Sequence, residues 1–256
     1  MSFTSQVFEL PSKGVLYPPE SPLRSGTVRM KPMTAVEEDI ITDPNVTAKG
    51  FTAIADALMT ALLDTKIDAD DLLEGDRNAL LIYTRITAWG SLLEFTRKHP
   101  KTKEDSLASV DLSTIGERAL GAEPIAAGVN EFAYQLPYSG KQITFKLLTH
   151  GDFKKIEQER DELTKLDGKA HKKTTLLRAM LCSVDGDTTE ITRYKLSTEM
   201  FSADMRAFFK YVDAIKPDTT LKADITYADG YVAEGVEVPF MEWDTFSPDW
   251  RELSFD

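Results

Sequence analysis

Hydrophobic residues recur at helical spacing in several long segments of the chain. The segment NALLIYTRITAWG (78–90) is apolar on three sides, which predicts a central buried helix. Thr34 and Glu37 have the spacing of a capping box, which predicts another helix that Pro44 ends. The remaining predicted helices cover residues 50–64, 151–169, 172–184 and 197–216.

Alternation of apolar and polar residues marks the predicted strands. It occurs over residues 27–33 and 92–98, and a returning strand is predicted over 107–115. Two hairpins are predicted over 131–149 and 221–241, because each joins alternating stretches through turn residues, PYSG in the first and ADG in the second. Apolar central helices combined with hairpins predict an α+β fold.

The order of these elements suggests four consecutive units. They are an extended N-terminal arm with the first strand (1–33), a helical core with an inserted hairpin (34–130), a hairpin followed by helices (131–220), and a C-terminal hairpin with an aromatic tail (221–256). No internal repeat or low-complexity tract divides the chain further.

The N-terminal arm contains prolines between residues 11 and 22 at a density that a helix does not tolerate. Its apolar residues have few partners nearby in the sequence, so we expect the arm to bind a neighbouring subunit instead of its own chain. The aromatic tail is a second expected contact surface, because aromatic residues are enriched in protein interfaces. The candidate interface residues are Phe8, Leu10, Pro11, Leu16 and Tyr17 in the arm and Trp243, Phe246 and Trp250 in the tail.

The 256 residues include 30 basic and 42 acidic side chains, which gives a formal net charge of −12. A field of that sign repels phosphate backbones and argues against nucleic acid as a partner. No apolar run reaches the roughly 20 residues that span a bilayer, and the first residues lack the pattern of a secretory signal. We therefore expect no membrane partner and a chain that starts in the cytoplasm.

Residues that could carry out catalysis or bind a metal are scarce. One Cys and three His are scattered along the chain, and no phosphate-binding loop or nucleophile motif is present, so we expect no catalytic residue, metal or cofactor. Cys182 lies in an apolar stretch and is predicted to be a small buried hydrophobe. Arg85 lies inside the central helix and is expected to need an internal carboxylate in a structural ion pair. The candidate partners are Asp76 first, then Glu37, Glu38 and Asp39.

The order of six segments resembles that of a phage protein family. The segments are FELPSKGVLYP, GTVRMKPMTAVEED, LLEGDRNALLIYTRITAWG, ITFKLLTHGD, LLRAMLCSVDG and SADMRAFFKYVDAIKP. Over residues 8–250 the chain resembles the baseplate hub subunit family of T-even-like contractile-tailed bacteriophages, which has relatives in other tailed phages.

This resemblance implies a non-enzymatic structural protein of the virion tail baseplate. Such a protein assembles in the host cytoplasm, occupies a ring in several copies and binds other tail proteins. An assembly chaperone that leaves before the virion matures is the alternative, and a hydrolase with an unrecognised carboxylate site is a third hypothesis.

The chain departs from the family at two places where many relatives carry Cys-x-x-Cys pairs. The corresponding segments 97–106 and 225–235 contain no Cys. We therefore expect a degenerate, metal-free ribbon in which turn hydrogen bonds and the packing of Tyr227, Tyr231 and Val232 replace zinc. The pair of His99 and Cys182 is the one conceivable remnant of a metal site.

Overall fold

The computed structural model describes residues 5–64 and 66–238, which form the predicted α+β fold. The helices of this part of the chain are α1 (Ala35–Thr42), α2 (Pro44–Thr47), α3 (Phe51–Leu62), α4 (Glu74–Trp89), α5 (His150–Asp167), α6 (Lys172–Met180), α7 (Glu190–Glu199) and α8 (Ser202–Ile215). Its strands are β1 (Gln6–Glu9), β2 (Thr27–Met30), β3 (Leu92–Lys98), β4 (Asp105–Asp111), β5 (Glu117–Arg118), β6 (Phe132–Gln135), β7 (Gln142–Phe145), β8 (Leu181–Val184), β9 (Asp218–Thr219), β10 (Lys222–Tyr227) and β11 (Val232–Glu237).

The described strands pair in antiparallel fashion and form four small sheets. Two sheets have two strands each (β1-β2 and β5-β9), one has the order β6-β7-β8, and one has the order β11-β10-β4-β3. In the four-stranded sheet, Thr226 of β10 pairs with Ser109 of β4. The hairpin inserted in the unit 34–130 and the hairpin of the unit 221–256 therefore share one sheet.

Capping signals in the sequence position two helix ends. The Glu37 carboxylate accepts a 2.9 Å hydrogen bond from the Thr34 N–H, and α1 begins with the predicted capping box. Gly168 follows α5 with a φ of 74°, a left-handed conformation that glycine adopts without steric cost. Both signals are local, which is why the sequence reveals them.

Two predicted helices are wrong in part. The helix predicted over 172–184 ends at Met180, because residues Leu181–Val184 form β8 and pair with β7. A short apolar run is compatible with either a buried strand or a helix, and the pairing partner decides between them. The helix predicted over 197–216 is two helices, because Met200 and Phe201 adopt non-helical conformations between α7 and α8.

The N-terminal arm folds against its own chain, which corrects the expectation that it binds a neighbour. Strand β1 pairs with β2, and the intervening segment is closed by a 2.9 Å hydrogen bond from Leu10 N–H to the Gly26 carbonyl. The interface candidates Leu10, Pro11, Leu16 and Tyr17 are all buried in this structure. Burial of these side chains in the core of the same chain leaves them unavailable to a partner.

The other interface candidates have different outcomes. Phe8 is half-buried and stacks on Tyr83 of α4, with 4.9 Å between the ring centroids, so it also packs on its own chain. Trp243, Phe246 and Trp250 lie outside the residues that the structure describes.

The expected ion pair between Arg85 and Asp76 is wrong. Arg85 follows Asp76 by nine positions, which places the two residues about 13 Å apart along α4. The Asp76 carboxylate accepts hydrogen bonds from Ser12 and Tyr17 of the arm instead. The Arg85 guanidinium donates to the carbonyls of Gly90 and Leu92 at 2.7 and 3.2 Å, beyond the C-terminal end of the same helix. Two backbone carbonyls thus accept hydrogen bonds from the Arg85 guanidinium.

The two turns that correspond to the thiolate segments of the family lie side by side in the four-stranded sheet. The His99 ring is buried and contacts Tyr227 and Tyr231, at centroid distances of 4.7 and 5.1 Å. Its Nδ1 accepts hydrogen bonds of 3.2 Å from the N–H groups of Lys101 and Thr102. Turn hydrogen bonds and contacts between rings thus hold this end of the ribbon together.

One detail of the ribbon differs from expectation. Val232 is exposed on the other face of β11 and does not join the aromatic packing. Of the conceivable remnant pair, His99 follows β3 of the four-stranded sheet, whereas Cys182 lies in β8 of the three-stranded sheet.

The four-stranded sheet is strongly rolled. Strands β3 and β11 are its two edges, yet the Arg97 guanidinium of β3 donates a 2.9 Å hydrogen bond to the Glu237 carbonyl of β11. In a flat sheet these edges would be about 14 Å apart, because neighbouring strands are spaced by about 4.8 Å. The roll brings the edges within reach of one side chain and encloses Ile225 and Tyr227.

Candidate interaction surface

An exposed aromatic pair stands at the tip of the β6–β7 hairpin. Tyr138 in the turn is 70% exposed and Phe201, between α7 and α8, is 54% exposed. Their rings meet edge to face with 4.9 Å between the centroids. Single exposed apolar side chains are common, but two aromatic rings exposed in mutual contact form a candidate contact site.

The hairpin tip is held by a buried carboxylate. Asp204, in the first turn of α8, is fully buried and accepts hydrogen bonds from the N–H groups of Tyr138 and Ser139 at 2.7 and 3.1 Å. Its negative charge is also favourable near the N-terminus of a helix. The turn is closed further by a 2.9 Å hydrogen bond between Leu136 N–H and the Lys141 carbonyl. Tyr138 is therefore held on a hydrogen-bonded turn, beside Phe201 at the start of α8.

Aromatic side chains also pack the same hairpin against α8. Phe145 of β7 meets Phe208 of α8 edge to face at 5.0 Å, and Tyr134 of β6 stacks on Tyr211 at 4.5 Å. Phe145 and Phe208 are fully buried. These contacts fix the position of α8 relative to the hairpin, and with it the position of Asp204.

Helix α7 adds two exposed apolar side chains. Ile191 is 82% exposed and Tyr194 is 52% exposed, and their spacing of three residues places them on one face of the helix. The opposite face is buried through Leu196 and Ser197. We name the two exposed apolar side chains of α7, together with Tyr138 and Phe201, the α7–tip surface.

The carboxylate of Asp56 in α3 joins three helices. It lies 2.8 Å from the Arg77 guanidinium of α4, 2.6 Å from the His150 ring and 3.1 Å from the Lys154 ammonium of α5. Burial alone would raise the pKa of Asp56, but the hydrogen bond and charge of His150, with the charge of Arg77, lower it to about 2. This arrangement is that of an ion-pair cluster between helices.

Asp76 is in a different environment. Burial raises the pKa of its carboxyl, and the hydrogen bonds from Tyr17 and Ser12 act in the opposite direction. The side chain is fully buried beneath the arm, so a substrate has no access to it in this structure. Asp76 therefore connects the arm to α4 and does not form a hydrolase site open to solvent.

Cys182 is partly buried in β8. Burial raises the pKa of its thiol to about 11, so little nucleophilic thiolate exists at neutral pH. Within residues 5–64 and 66–238, no three His, Cys, Asp or Glu side chains are grouped in a way that could hold a metal ion. In the same ranges, no helix is both long and apolar enough to cross a membrane.

The residues of the α7–tip surface carry little signal in the amino-acid sequence. A tyrosine inside the turn PYSG was the available signal, because a turn residue has no core position to fill. Phe201 gave no comparable signal, since the predicted helix 197–216 placed it in a regular element. Sixty-three positions separate Tyr138 from Phe201, and only the folded chain brings them together.

Comparisons with known proteins give no independent indication of function. No protein-family model matches the chain, and neither the curated proteins nor the solved structures contain a match.

Proposed function

We propose that this protein is a structural subunit of a phage tail baseplate or hub, and that it acts through protein–protein interfaces. The observation that carries the proposal is the exposed pair of Tyr138, on a turn held by Asp204, and Phe201, at the start of α8. The segment order that resembles the baseplate hub subunits supports the particular assembly. The partners are other tail proteins, and several copies form a ring that assembles in the host cytoplasm and remains in the virion.

A rigid aromatic pair suits an interface for an energetic reason. Aromatic anchors that become fully buried in an interface typically contribute about 2 kcal/mol or more each. Two hydrogen bonds to Asp204 already hold the backbone of the turn that carries Tyr138. Binding therefore loses little conformational entropy at this turn. The α7–tip surface is therefore the contact we expect to carry most of the binding free energy.

The first test is quantitative mass spectrometry of particles purified from the phage that encodes this chain. The proposal expects the protein at a fixed ratio to the other tail proteins, with cross-links from Lys141, beside the tip, to a neighbour. Absence from mature particles combined with association with tail proteins in the lysate would instead favour the assembly chaperone. Absence from both would contradict the two functions together.

The second test uses a variant of the surface and a matched control. The double variant Tyr138→Ser and Phe201→Ser should weaken incorporation into particles by about 30-fold or more, which corresponds to about 2 kcal/mol. Leu166→Ser on α5 removes a side chain that is also highly exposed but lies elsewhere. Circular dichroism checks that both variants fold. Equal incorporation of the two variants would exclude the α7–tip surface as the contact.

A further inference from the structure

A cavity of about 230 Å³ lies beside the first turn of α4, between α5, α6 and the end of α8. Its wall is mostly apolar and includes Leu148, Phe153, Leu176, Met180, Phe209 and Val212. We name this cavity the α4–α8 pocket. It is separate from the α7–tip surface, because none of the four residues of that surface lines it.

Gly75 allows the first turn of α4 to pack closely against the neighbouring segment of the pocket wall. A Cβ atom at Gly75 would collide with the carbonyl oxygen of Pro217, so α4 can begin against this segment only because the residue is glycine. Pro217 and the adjacent Asp218 also line the pocket. Part of the cavity wall is therefore the backbone of α4 at Gly75, which lies directly against the backbone of Pro217 and Asp218.

The charged groups of the pocket are mostly acidic. They are Glu74, Asp213, Lys216 and Asp218, which sum to a formal charge of −2. The Lys216 ammonium lies 3.0 Å from Asp218 and 3.5 Å from Asp213, so two carboxylates share it. Glu74 has neither a hydrogen bond nor an ion pair through its side chain within the described part of the chain.

The surroundings of Glu74 favour a positively charged ligand. Its side chain is accessible to solvent, yet partial burial raises the pKa of the carboxyl, as does Asp218, against the charges of Lys216, Arg77 and His150. Partial loss of hydration is unfavourable for a carboxylate. An ammonium group bound next to Glu74 would offset this loss with a direct hydrogen bond.

We propose that the α4–α8 pocket binds a small organic ammonium ion, with its aryl or branched alkyl group in the apolar cavity and its ammonium group beside Glu74. The size fits, because a cavity of about 150 Å³ already accommodates benzene in another protein and this one is larger. The acidic mouth disfavours the corresponding carboxylates, which the apolar wall alone would accept equally well. This binding site is independent of the proposed role in a tail assembly.

The test measures NMR shifts of the leucine and valine methyl groups of the full-length protein. The probes are phenethylammonium and 3-phenylpropionate, which present the same ring with opposite charges, each titrated to about 10 mM because fragments of this size bind with millimolar affinity. We expect phenethylammonium to shift the methyl signals of Leu148, Leu176 and Val212, and to bind at least about 10-fold more tightly than 3-phenylpropionate.

Two variants locate the interaction. Glu74→Gln keeps the size of the side chain and removes its charge, so it should weaken phenethylammonium binding by about 3- to 10-fold and leave 3-phenylpropionate unaffected or improved. Glu162→Gln removes an exposed charge on α5 that does not line the pocket and should change neither. Val212→Trp, designed to fill the cavity, should abolish binding, and its thermal unfolding is measured to check that it folds.

Three results would overturn the proposal. One is the absence of methyl shifts with phenethylammonium, and another is equal affinity for the two probes. The third is that the peptide acetyl-Lys-Phe-Lys-amide shifts the pocket methyls whereas phenethylammonium does not, which would assign the pocket to a basic segment of a partner protein.

Discussion

The Tyr17 hydroxyl donates a 2.6 Å hydrogen bond to the Asp76 carboxylate, across 59 positions of sequence. The same hydroxyl accepts a 2.9 Å hydrogen bond from the N–H of Leu73, which immediately precedes α4. Ser12 donates two further hydrogen bonds to Asp76. One buried carboxylate thus joins the N-terminal arm to the start of the central helix.

Tyr17→Phe should destabilise the protein by about 2 kcal/mol, because it removes one of the three hydrogen bonds to the buried Asp76 carboxylate and leaves the Leu73 N–H without a partner. Urea denaturation followed by circular dichroism measures the free energy of unfolding. Tyr138→Phe removes a hydroxyl from an exposed ring and should cost less than about 0.5 kcal/mol. Equal effects of the two variants would show that the hydroxyl of Tyr17 has no role in stability.

Asp56 should make stability depend on acidic pH. Its pKa falls from an ordinary 3.8 to about 2 in the folded chain. A carboxyl whose folded-state pKa is lowered stabilises the fold above its unfolded-state pKa, and this contribution is lost as the pH falls from about 4 toward 2. The shift corresponds to about 2 kcal/mol.

Denaturation of the wild type and of Asp56→Asn at pH 7 and pH 2 tests this expectation. The difference in unfolding free energy between the two proteins should be about 2 kcal/mol larger at pH 7 than at pH 2. Asp39→Asn changes an exposed carboxylate and serves as the control. A difference for Asp56→Asn that stays constant with pH would contradict the ion-pair cluster.

Cys182 should react slowly with iodoacetamide in the native protein. Its thiol pKa rises from 9.0 to about 11, which reduces the thiolate fraction at neutral pH by about 100-fold. Mass spectrometry of alkylation time courses with and without denaturant measures the ratio of rates. Similar native and denatured rates would mean that the thiol is not shielded as the structure indicates.

An excess of chelator should leave the melting temperature unchanged. At the ribbon turns, His99 packs between Tyr227 and Tyr231 and accepts two backbone hydrogen bonds, and these contacts hold the turns together. His99→Phe keeps a ring but loses the hydrogen-bond acceptor, and should cost about 1–3 kcal/mol. About one zinc ion per chain in elemental analysis, with unfolding on chelation, would contradict this prediction.

The features that sequence reasoning identified are those governed by neighbouring residues. The capping box at Thr34, the αL glycine after α5 and the turn residues of both hairpins act within a few positions. The α+β class follows from these elements without further information.

The features that it missed depend on contacts between distant segments. The arm is extended and rich in proline, so its sequence alone predicts a free segment. The carboxylate that accepts its hydrogen bonds, Asp76, lies 64 positions after Ser12. Residues 181–184 change from predicted helix to strand because β7 offers a pairing edge. Likewise, the pair of Tyr138 and Phe201 depends on where Asp204 places the hairpin turn.

The roll of the four-stranded sheet limits how another chain can attach to it. Exposed sheet edges invite strand addition and aggregation, because they present unpaired backbone groups. Here the two edges come within reach of one side chain, and the Arg97 guanidinium already donates a hydrogen bond to the Glu237 carbonyl. A neighbour is therefore expected to recognise this region through side chains, without extending the sheet into a continuous ladder between molecules.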